Sequence, residues 1–395
     1  MQPQLQRYGK VPFFRTEKHS RVDSHYKRID ALTSLRFLAA ALIAFQHAGS
    51  PSFFRLGISL FDTRHGVSFF FVLSGFILSH AYGNMRAGDG LREFWAARIA
   101  RLWPAHAATA VLAMLAIVPI ADVESGLKAL VNLFLLQSWI PLKGWYYSVN
   151  AVSWSISTEL FFYVAFPLVL PIARERPLGV AVFSIALVGV LIAVVSIAEL
   201  SPAETSPGVT AWGMLYVSPV ARFAEFLGGM VAYRVAIDMA SRASKWSTAR
   251  ASWYEAAAAA MTFAAMVGCT KLAEQLSVAA PQASVWIRIA GPYWAFGMLL
   301  VVLYAQRGAL TRLLSWRPLV YLGEISFALY LLHQLVLRWM FAHYRDFIEA
   351  NWLISYGAYW AISIIGATAI YHWVEQPSRP ALRAALTGSR RRRLA

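Results

Sequence analysis

Residues 178–198 read LGVAVFSIALVGVLIAVVSIA, a run of 21 residues without a charged side chain. A helix that crosses a bilayer needs about 20 mostly apolar residues, so this run is predicted to span a membrane. Nine further apolar runs of similar length flank it, at 32–50, 67–83, 102–121, 152–172, 214–233, 253–272, 286–305, 319–340 and 352–373. The predicted fold is therefore all-α: a polytopic integral membrane protein with about ten transmembrane helices.

The composition of the chain agrees with a membrane protein. Of its 395 residues 58% are hydrophobic and only 14% are charged, against about 25% charged in an ordinary soluble domain. A soluble fold of this size could not bury so much apolar surface, and disorder, collagen and a coiled coil are excluded. A single cysteine, Cys269, excludes a disulfide within the chain and a thiolate metal cluster, and no metal site is predicted.

The basic residues predict the topology. Lys and Arg number 36, against 20 Asp and Glu. With ten spans and the N-terminus inside, the inner segments hold 26 of these cations and the outer segments 6. Because basic residues collect in cytoplasmic loops, both termini are predicted to be cytoplasmic, and the net charge of +16 reflects topology rather than a nucleic-acid partner. We expect a multi-pass protein of the cell (inner) membrane.

Three regions follow from this topology. Basic cytoplasmic tails are predicted at 1–30 and 376–395, and a transmembrane domain at 31–375. No cleavable signal peptide is expected, because the first apolar run starts only after a polar, basic stretch. The apolar stretch 129–141 is too short for an ordinary span, and an eleventh span would move the RRRR tail outside. The segment 122–151 is therefore predicted to be a structured outer loop or a re-entrant segment.

Ionisable residues inside a membrane are costly and usually functional. Arg36 and His47 lie eleven residues apart in the first span, on one helix face and roughly 16 Å apart along the axis. Glu159 lies in the fourth span and must face the bundle. The alternative for Arg36 and His47 is that each side chain only reaches its nearer membrane interface. The alternative for Glu159 is that it only holds two helices together.

His333 ends the sequence GEISFALYLLH, where it forms a polar stripe with Ser326 and Tyr330. The alternative is a buried structural histidine. The topology places His47, Glu159 and His333 in the outer half of the membrane. This convergence of potential bases and a carboxylate indicates an enzyme with these three catalytic residues.

Arg98 and Arg101 lie three residues apart at the inner surface, in the segment 84–101 before the third span. Two guanidinium groups on one helix face suit a phosphate. Ordinary anchoring at the inner surface explains the spacing equally well. The partners of Arg222, Arg288 and Arg338 cannot be assigned from the sequence.

Six short motifs together resemble those of the membrane-bound acyltransferase-3 family, which acylates sugars and other hydroxyl acceptors. They appear in the family's order and cover about 31–380: RIDALTSLRFLAAALIAFQH, GVSFFFVLSGFIL, FWAARIARLWP, WSISTELFFY, ISFALYLLHQ and HWVEQPSR. The resemblance implies ten helices, a cytoplasmic acyl-CoA donor and an acceptor that is often extracytoplasmic. Some members carry an additional soluble esterase-like domain, which is not expected here.

The resemblance also implies roles for particular residues. His47 would be the essential histidine, Arg36, Arg98 and Arg101 would serve the donor, and Trp154 and Glu159 would line a central cavity. Ser153, Trp154 and Tyr330 are predicted to contact substrate. No permanently bound cofactor is expected, because acetyl-CoA or another acyl-CoA acts as a substrate. The predicted partners are this donor, a hydroxyl of a sugar or surface glycan, and the bilayer.

The predicted mechanism has His47 as a general base that Glu159 orients, as a carboxylate orients the histidine of a hydrolase triad. A covalent acyl-enzyme on His47 or Ser153 stays open. Two other functions also remain open. One is a transporter or flippase for a lipid-linked sugar. The other is a different membrane O-acyltransferase in which His333 is essential and His47 dispensable.

Overall fold

The computed structural model describes residues 28–49, 53–54, 60–85, 88 and 90–388. Within these residues the chain forms α-helices and no β-strand, which confirms the predicted all-α class. The helices are α1 (Asp30–Ala48), α2 (His65–Tyr82), α3 (Leu91–Ala116), α4 (Val123–Leu133), α5 (Lys143–Tyr146), α6 (Trp154–Glu175), α7 (Pro177–Ile197), α8 (Pro219–Ala243), α9 (Thr248–Ala279), α10 (Pro281–Ala290), α11 (Tyr293–Leu303), α12 (Ala309–Leu314), α13 (Arg317–His343), α14 (Arg345–Ala350), α15 (Trp352–Ile370) and α16 (Gln376–Thr387). Short 3-10 turns lie at Gln137–Trp139 and Ala151–Ser153, and π-helical turns at Gly213–Val217 and Tyr371–Glu375.

In the part of the chain that the structure describes, nine helical stretches are long and apolar enough to cross a membrane. They coincide with nine of the ten predicted spans. The exception is 214–233, which falls on a π-helical turn and on α8. Ionic residues such as Arg222 and Glu225 lower the hydropathy of this 25-residue helix, yet both are fully buried. We therefore count α8 as the tenth helix of the bundle, because it packs in the interior against α2, α6, α7 and α11.

Several helix boundaries differ from those predicted. The segment expected as a loop over 84–101 is helical from Leu91, where Phe94, Ala96 and Ala100 are buried in the bundle. The run at 286–305 is broken at Gly291 and Pro292, between α10 and α11, where the proline supplies no N–H to the helix ladder.

The predicted tails fall mostly outside the described residues, at 1–27 and 389–395. Residues 376–388 of the predicted C-terminal tail are described, and most of them form α16, which packs on α3.

The segment 122–151 is folded. Asp122 and Ser125 form a capping box at the start of α4, and the hydrogen bonds from Ser125 lower the pKa of the Asp122 carboxyl. Further along, Asn132 and Gln137 donate hydrogen bonds to the hydroxyl of Ser153, at 3.1 and 3.0 Å. These bonds join the segment to the start of α6. Its placement on the outer side stays a prediction.

Two glycines allow α2 and α8 to cross closely. A Cβ on Gly75 would lie 2.0 Å from the carbonyl oxygen of Phe226, and one on Gly229 would lie 1.9 Å from that of Val72. Small residues at such crossings let two helix backbones meet within a membrane. The crossing brings Phe71 and Ser74 of α2 to the centre of the bundle.

Substitution of Gly229 by alanine is expected to destabilise the protein, because the added Cβ would force the two backbones apart. Overpacking of this kind typically costs about 1–3 kcal/mol. Thermal unfolding of the purified protein in detergent measures the effect. Gly189→Ala in α7 is the matched control, since a Cβ there meets no atom within 4 Å. Equal melting temperatures for the two variants would contradict the close crossing.

Candidate active site

A cavity opens within the helix bundle. Its walls come from α1, α2, α3, α6, α13 and α16. Five predicted site residues line it, namely Arg36, Arg98, Arg101, Glu159 and Tyr330. The structure therefore brings most of the predicted polar residues into one space.

One end of the cavity is basic. Arg36, Arg98, Arg101 and Arg379 all line it, so four guanidinium groups from α1, α3 and α16 converge. Arg379 forms an ion pair with the buried Glu375 at 2.5 Å. Arg98 and Arg101 make no ion pair with the described residues. By the predicted topology this is the cytoplasmic end, because α1 begins there and α6 ends there.

Aromatic rings hold Arg98 in place. Its Nη2 donates a hydrogen bond to the Tyr82 hydroxyl at 3.3 Å, and its guanidinium lies 5.4 Å from the centre of that ring. The ring of Tyr163 lies 6.0 Å away. The Nε atom of Arg98 is buried without a hydrogen-bond partner among the described residues. A positioned guanidinium with spare donors suits the recognition of an oxyanion.

Glu159 faces the cavity but is not the partner of His47. Its Oε1 accepts hydrogen bonds from the hydroxyls of Tyr163, at 2.6 Å, and Ser74, at 3.1 Å. The prediction that Glu159 orients His47 is therefore wrong, because the described hydrogen bonds of Glu159 go to Tyr163 and Ser74. Helical periodicity placed Glu159 on the correct face, but it could not show which neighbouring helix supplies its partners.

The partner of His47 is His333. Nδ1 of His47 lies 2.8 Å from Nε2 of His333, and the two rings stack with their centroids 5.1 Å apart. His333 is fully buried. The contact depends on the close packing of α1 and α13, where Gly323 allows the approach: a Cβ there would lie 2.1 Å from the carbonyl oxygen of Thr33.

The hydrogen bonds define the tautomers of two neutral rings. Nδ1 of His333 lies 3.2 Å from the carbonyl oxygen of Leu329, which only accepts, so Nδ1 must carry the proton. Nε2 of His333 is then an acceptor, and Nδ1 of His47 donates to it. The lone pair of His47 is consequently left on Nε2. His333 thus holds His47 in the tautomer whose Nε2 can accept a proton.

Tyr330 links the cavity to the two histidines. It lines the cavity, and its ring centroid lies 6.0 Å from that of His333, one helical turn further along α13. Its hydroxyl lies 2.7 Å from the hydroxyl of Ser155 and donates a hydrogen bond to the carbonyl oxygen of Val152 at 3.0 Å. Neither His47 nor His333 lines this cavity, and Tyr330 is a lining residue that contacts the pair through His333.

Ser153 and Trp154 do not line this cavity. Ser153 is fully buried, and its hydroxyl donates to the carbonyl oxygen of Asn150 at 2.7 Å while accepting from two amide side chains of segment 122–151. Trp154 packs against the rings of Phe71 and Tyr216. Their predicted contact with substrate is not supported, because the segment before α6 already binds Ser153, and rings of α2 and of the π-helical turn Gly213–Val217 already contact Trp154.

Sequence reasoning missed a group of polar residues beside the histidines. Arg64 pairs with Asp62 and lies over the ring of Trp212, at 4.8 Å from its centroid. Burial alone would raise the pKa of the Asp62 carboxyl, but the hydrogen bonds and charge of Arg64 outweigh it and the pKa is lowered. Arg64 also interacts electrostatically with His47. The short spacing of Asp62 and Arg64 was the sequence feature that could have predicted this ion pair.

The partner of Arg222 is Glu225, one turn further along α8. The two are 3.0 Å apart, and neither side chain is exposed. The guanidinium of Arg222 lies 5.1 Å from the ring centre of Phe71, which lines the cavity. The pair therefore packs behind Phe71 in the cavity wall. In the sequence, only the i,i+3 spacing of Arg222 and Glu225 indicated this ion pair.

Comparisons with known proteins agree with the geometry. Residues 29–372 match a family model described as an acyltransferase domain of the acyltransferase-3 type. Acyltransferase MdmB of Streptomyces mycarofaciens is 29% identical to the chain over 368 residues, which cover 87% of this chain and 86% of that protein. No solved structure was found to match.

Proposed function

This chain belongs to the acyltransferase-3 family, and on that premise we propose that it is an inner-membrane O-acyltransferase. It transfers an acyl group, most simply acetyl, from cytoplasmic acyl-CoA to a hydroxyl group of a sugar or surface glycan. The observation that carries the proposal is a single cavity with arginines at one end and Tyr330, next to the His47–His333 pair, at the other.

The basic end of the cavity binds the donor. Coenzyme A carries phosphates, and Arg98 and Arg101 offer guanidinium groups that are not committed to ion pairs. Arg36 adds a third cation on α1. The apolar walls between the arginines and Tyr330, built from residues such as Phe71 and Leu102, suit the pantetheine arm and exclude water from the thioester.

The transfer step needs only one base. The acceptor hydroxyl gives its proton to Nε2 of His47 while its oxygen attacks the thioester carbonyl carbon. The carbon–sulfur bond breaks, the acyl group stays on the acceptor oxygen, and the proton passes from the imidazolium to the leaving coenzyme A sulfur. His333 acts through His47 by fixing its tautomer. Atoms and charges balance without a metal or a redox cofactor.

Release of free coenzyme A from acetyl-CoA tests the proposed function. The purified protein in nanodiscs is expected to release coenzyme A in the presence of an acceptor glycoside and to bind acetyl-CoA without one. A lipid-linked sugar that crosses the bilayer without any binding or consumption of acetyl-CoA would overturn the proposal in favour of a transporter.

Replacement of Arg98 or Arg101 by glutamine is expected to raise KM for acetyl-CoA by about tenfold each, with a smaller effect on kcat. Each change removes a charged donor to phosphate, and such bonds contribute about 1.5–3 kcal/mol. Steady-state kinetics at varied donor concentration provide the measurement. Arg92→Gln is the control, because Arg92 lies on the same helix but bonds to the carbonyl of Leu386 outside the cavity. An unchanged KM in both cavity variants would contradict donor binding at this end.

A further inference from the structure

A second cleft lies between α2, α6 and α8. It is separate from the candidate active site, because α2 divides the two: Leu78 lines the cavity and the next residue, Ser79, lines the cleft. Ser79 lies near the end of α2, and Arg174 near the end of α6. By the predicted topology both ends are at the cytoplasmic surface, so the cleft lies at the level of the inner lipid headgroups.

Two polar atoms of this cleft have no partner among the described residues. The Nη2 atom of Arg174 and the hydroxyl of Ser79 are both buried without a hydrogen-bond partner among the described residues. Buried donors of this kind are normally satisfied, so their presence in one cleft points to a ligand. Arg234 adds a second guanidinium, which Asp238 binds at 2.6 Å.

The chemistry of the cleft suits a phosphate with a lipid attached. A guanidinium, a hydroxyl and the amide of Asn84 supply donors for phosphate oxygens. Leu170, Met230 and Ile237 form the apolar part of the lining. The neighbouring surface of α6 is also apolar, since Leu168 and Ile172 are 75% and 53% exposed. In a bilayer this surface faces acyl chains.

We propose that the cleft is a binding site for the headgroup of an anionic phospholipid of the inner leaflet. The headgroup phosphate lies against Arg174 and Ser79, and the acyl chains run along the apolar surface of α6. Basic pockets between transmembrane helices on the cytoplasmic side bind lipid headgroups in this way. The proposal does not depend on the acyltransferase reaction, since no residue of the cleft lines the catalytic cavity.

The test is a lipid titration of the purified full chain in detergent, with phosphatidylglycerol or phosphatidylcholine, read as the shift in melting temperature. We expect phosphatidylglycerol to give the larger shift in the wild type. Arg174→Gln is expected to weaken its apparent affinity by about tenfold, because one charge-assisted bond to phosphate is lost. Arg176→Gln is the matched control: it removes the same charge two residues away, at an exposed position outside the cleft.

Ser79→Ala provides a second variant if Arg174→Gln does not fold, since it removes one hydroxyl with little change in volume. We expect it to weaken phosphatidylglycerol binding by a smaller factor than Arg174→Gln does.

Three results would overturn the proposal. These are equal shifts with both lipids in the wild type, equal losses in Arg174→Gln and Arg176→Gln, and displacement of phosphatidylglycerol by coenzyme A, which would assign the cleft to the donor.

Discussion

Replacement of His47 by alanine is expected to lower the rate of acyl transfer by a factor of about 10²–10⁴, the usual contribution of a positioned general base. Because Nδ1 of His47 donates to His333, the lone pair of His47 that can accept a proton is on Nε2. The measurement is coenzyme A release with saturating acetyl-CoA and acceptor. Binding of acetyl-CoA should persist, because the arginines of the cavity are untouched.

A series of histidine variants distinguishes the proposed general base, His47, from His333, which fixes its tautomer. His333→Ala is expected to reduce kcat less than His47→Ala does, since it removes only the group that fixes the tautomer. The double variant should be no slower than His47→Ala alone, because the two residues act as a unit. His343→Ala is the control, as His343 ends α13 at an exposed position. Normal turnover by a well-folded His47→Ala protein would refute the mechanism.

Removal of Glu225 alone is expected to have the largest effect on stability, about 3–5 kcal/mol. Arg222 and Glu225 form an ion pair with no exposed side-chain surface, so Glu225→Leu leaves an uncompensated guanidinium in the bundle. The melting temperature and the monodisperse fraction in detergent report the loss. The double variant Arg222→Leu/Glu225→Leu should recover much of it, because two apolar side chains then replace the two charges.

The control for this prediction is the pair of Lys271 and Glu274, which has the same i,i+3 spacing on α9. Its side chains are 55% and 43% exposed and 2.9 Å apart. Glu274→Gln is expected to leave the melting temperature nearly unchanged, because water solvates the remaining lysine. If Glu225→Leu were as mild as Glu274→Gln, the buried pair would not be a structural requirement.

The sequence predicts which residues form helices better than it predicts which side chains of different helices contact one another. Long apolar runs located nine spans, and helical periodicity put Arg36, Glu159 and Tyr330 on inward faces, because both signals are local. The partner of Glu159 was mispredicted, since hydrogen bonds between helices depend on how the helices cross. Arg222 was left without a partner for a different reason: Glu225 is local, but its burial depends on the packing of α8 against α2.

The sequence identified both His47 and His333 as candidate residues, but it did not predict that their rings contact each other. Each appeared as a lone histidine on an apolar helix, and nothing in either motif indicates that the rings stack. The contact arises from the approach of α1 to α13 at Gly323, which a helix pattern does not predict. The same limit applies to Arg379: the sequence places it at the start of a basic C-terminal tail, and only the packing of α16 on α3 brings it to the cavity wall.

The paired histidines are 286 residues apart in the chain, and the cavity also joins Arg36 of α1 to Arg379 of α16. During synthesis the first helix therefore enters the membrane long before its catalytic partner leaves the ribosome. A nascent chain that still lacks α13 and α16 has neither the contact of His47 with His333 nor the guanidinium of Arg379 at the cavity. On the proposed mechanism, a partly synthesised chain is therefore expected to be inactive until its last helices have packed.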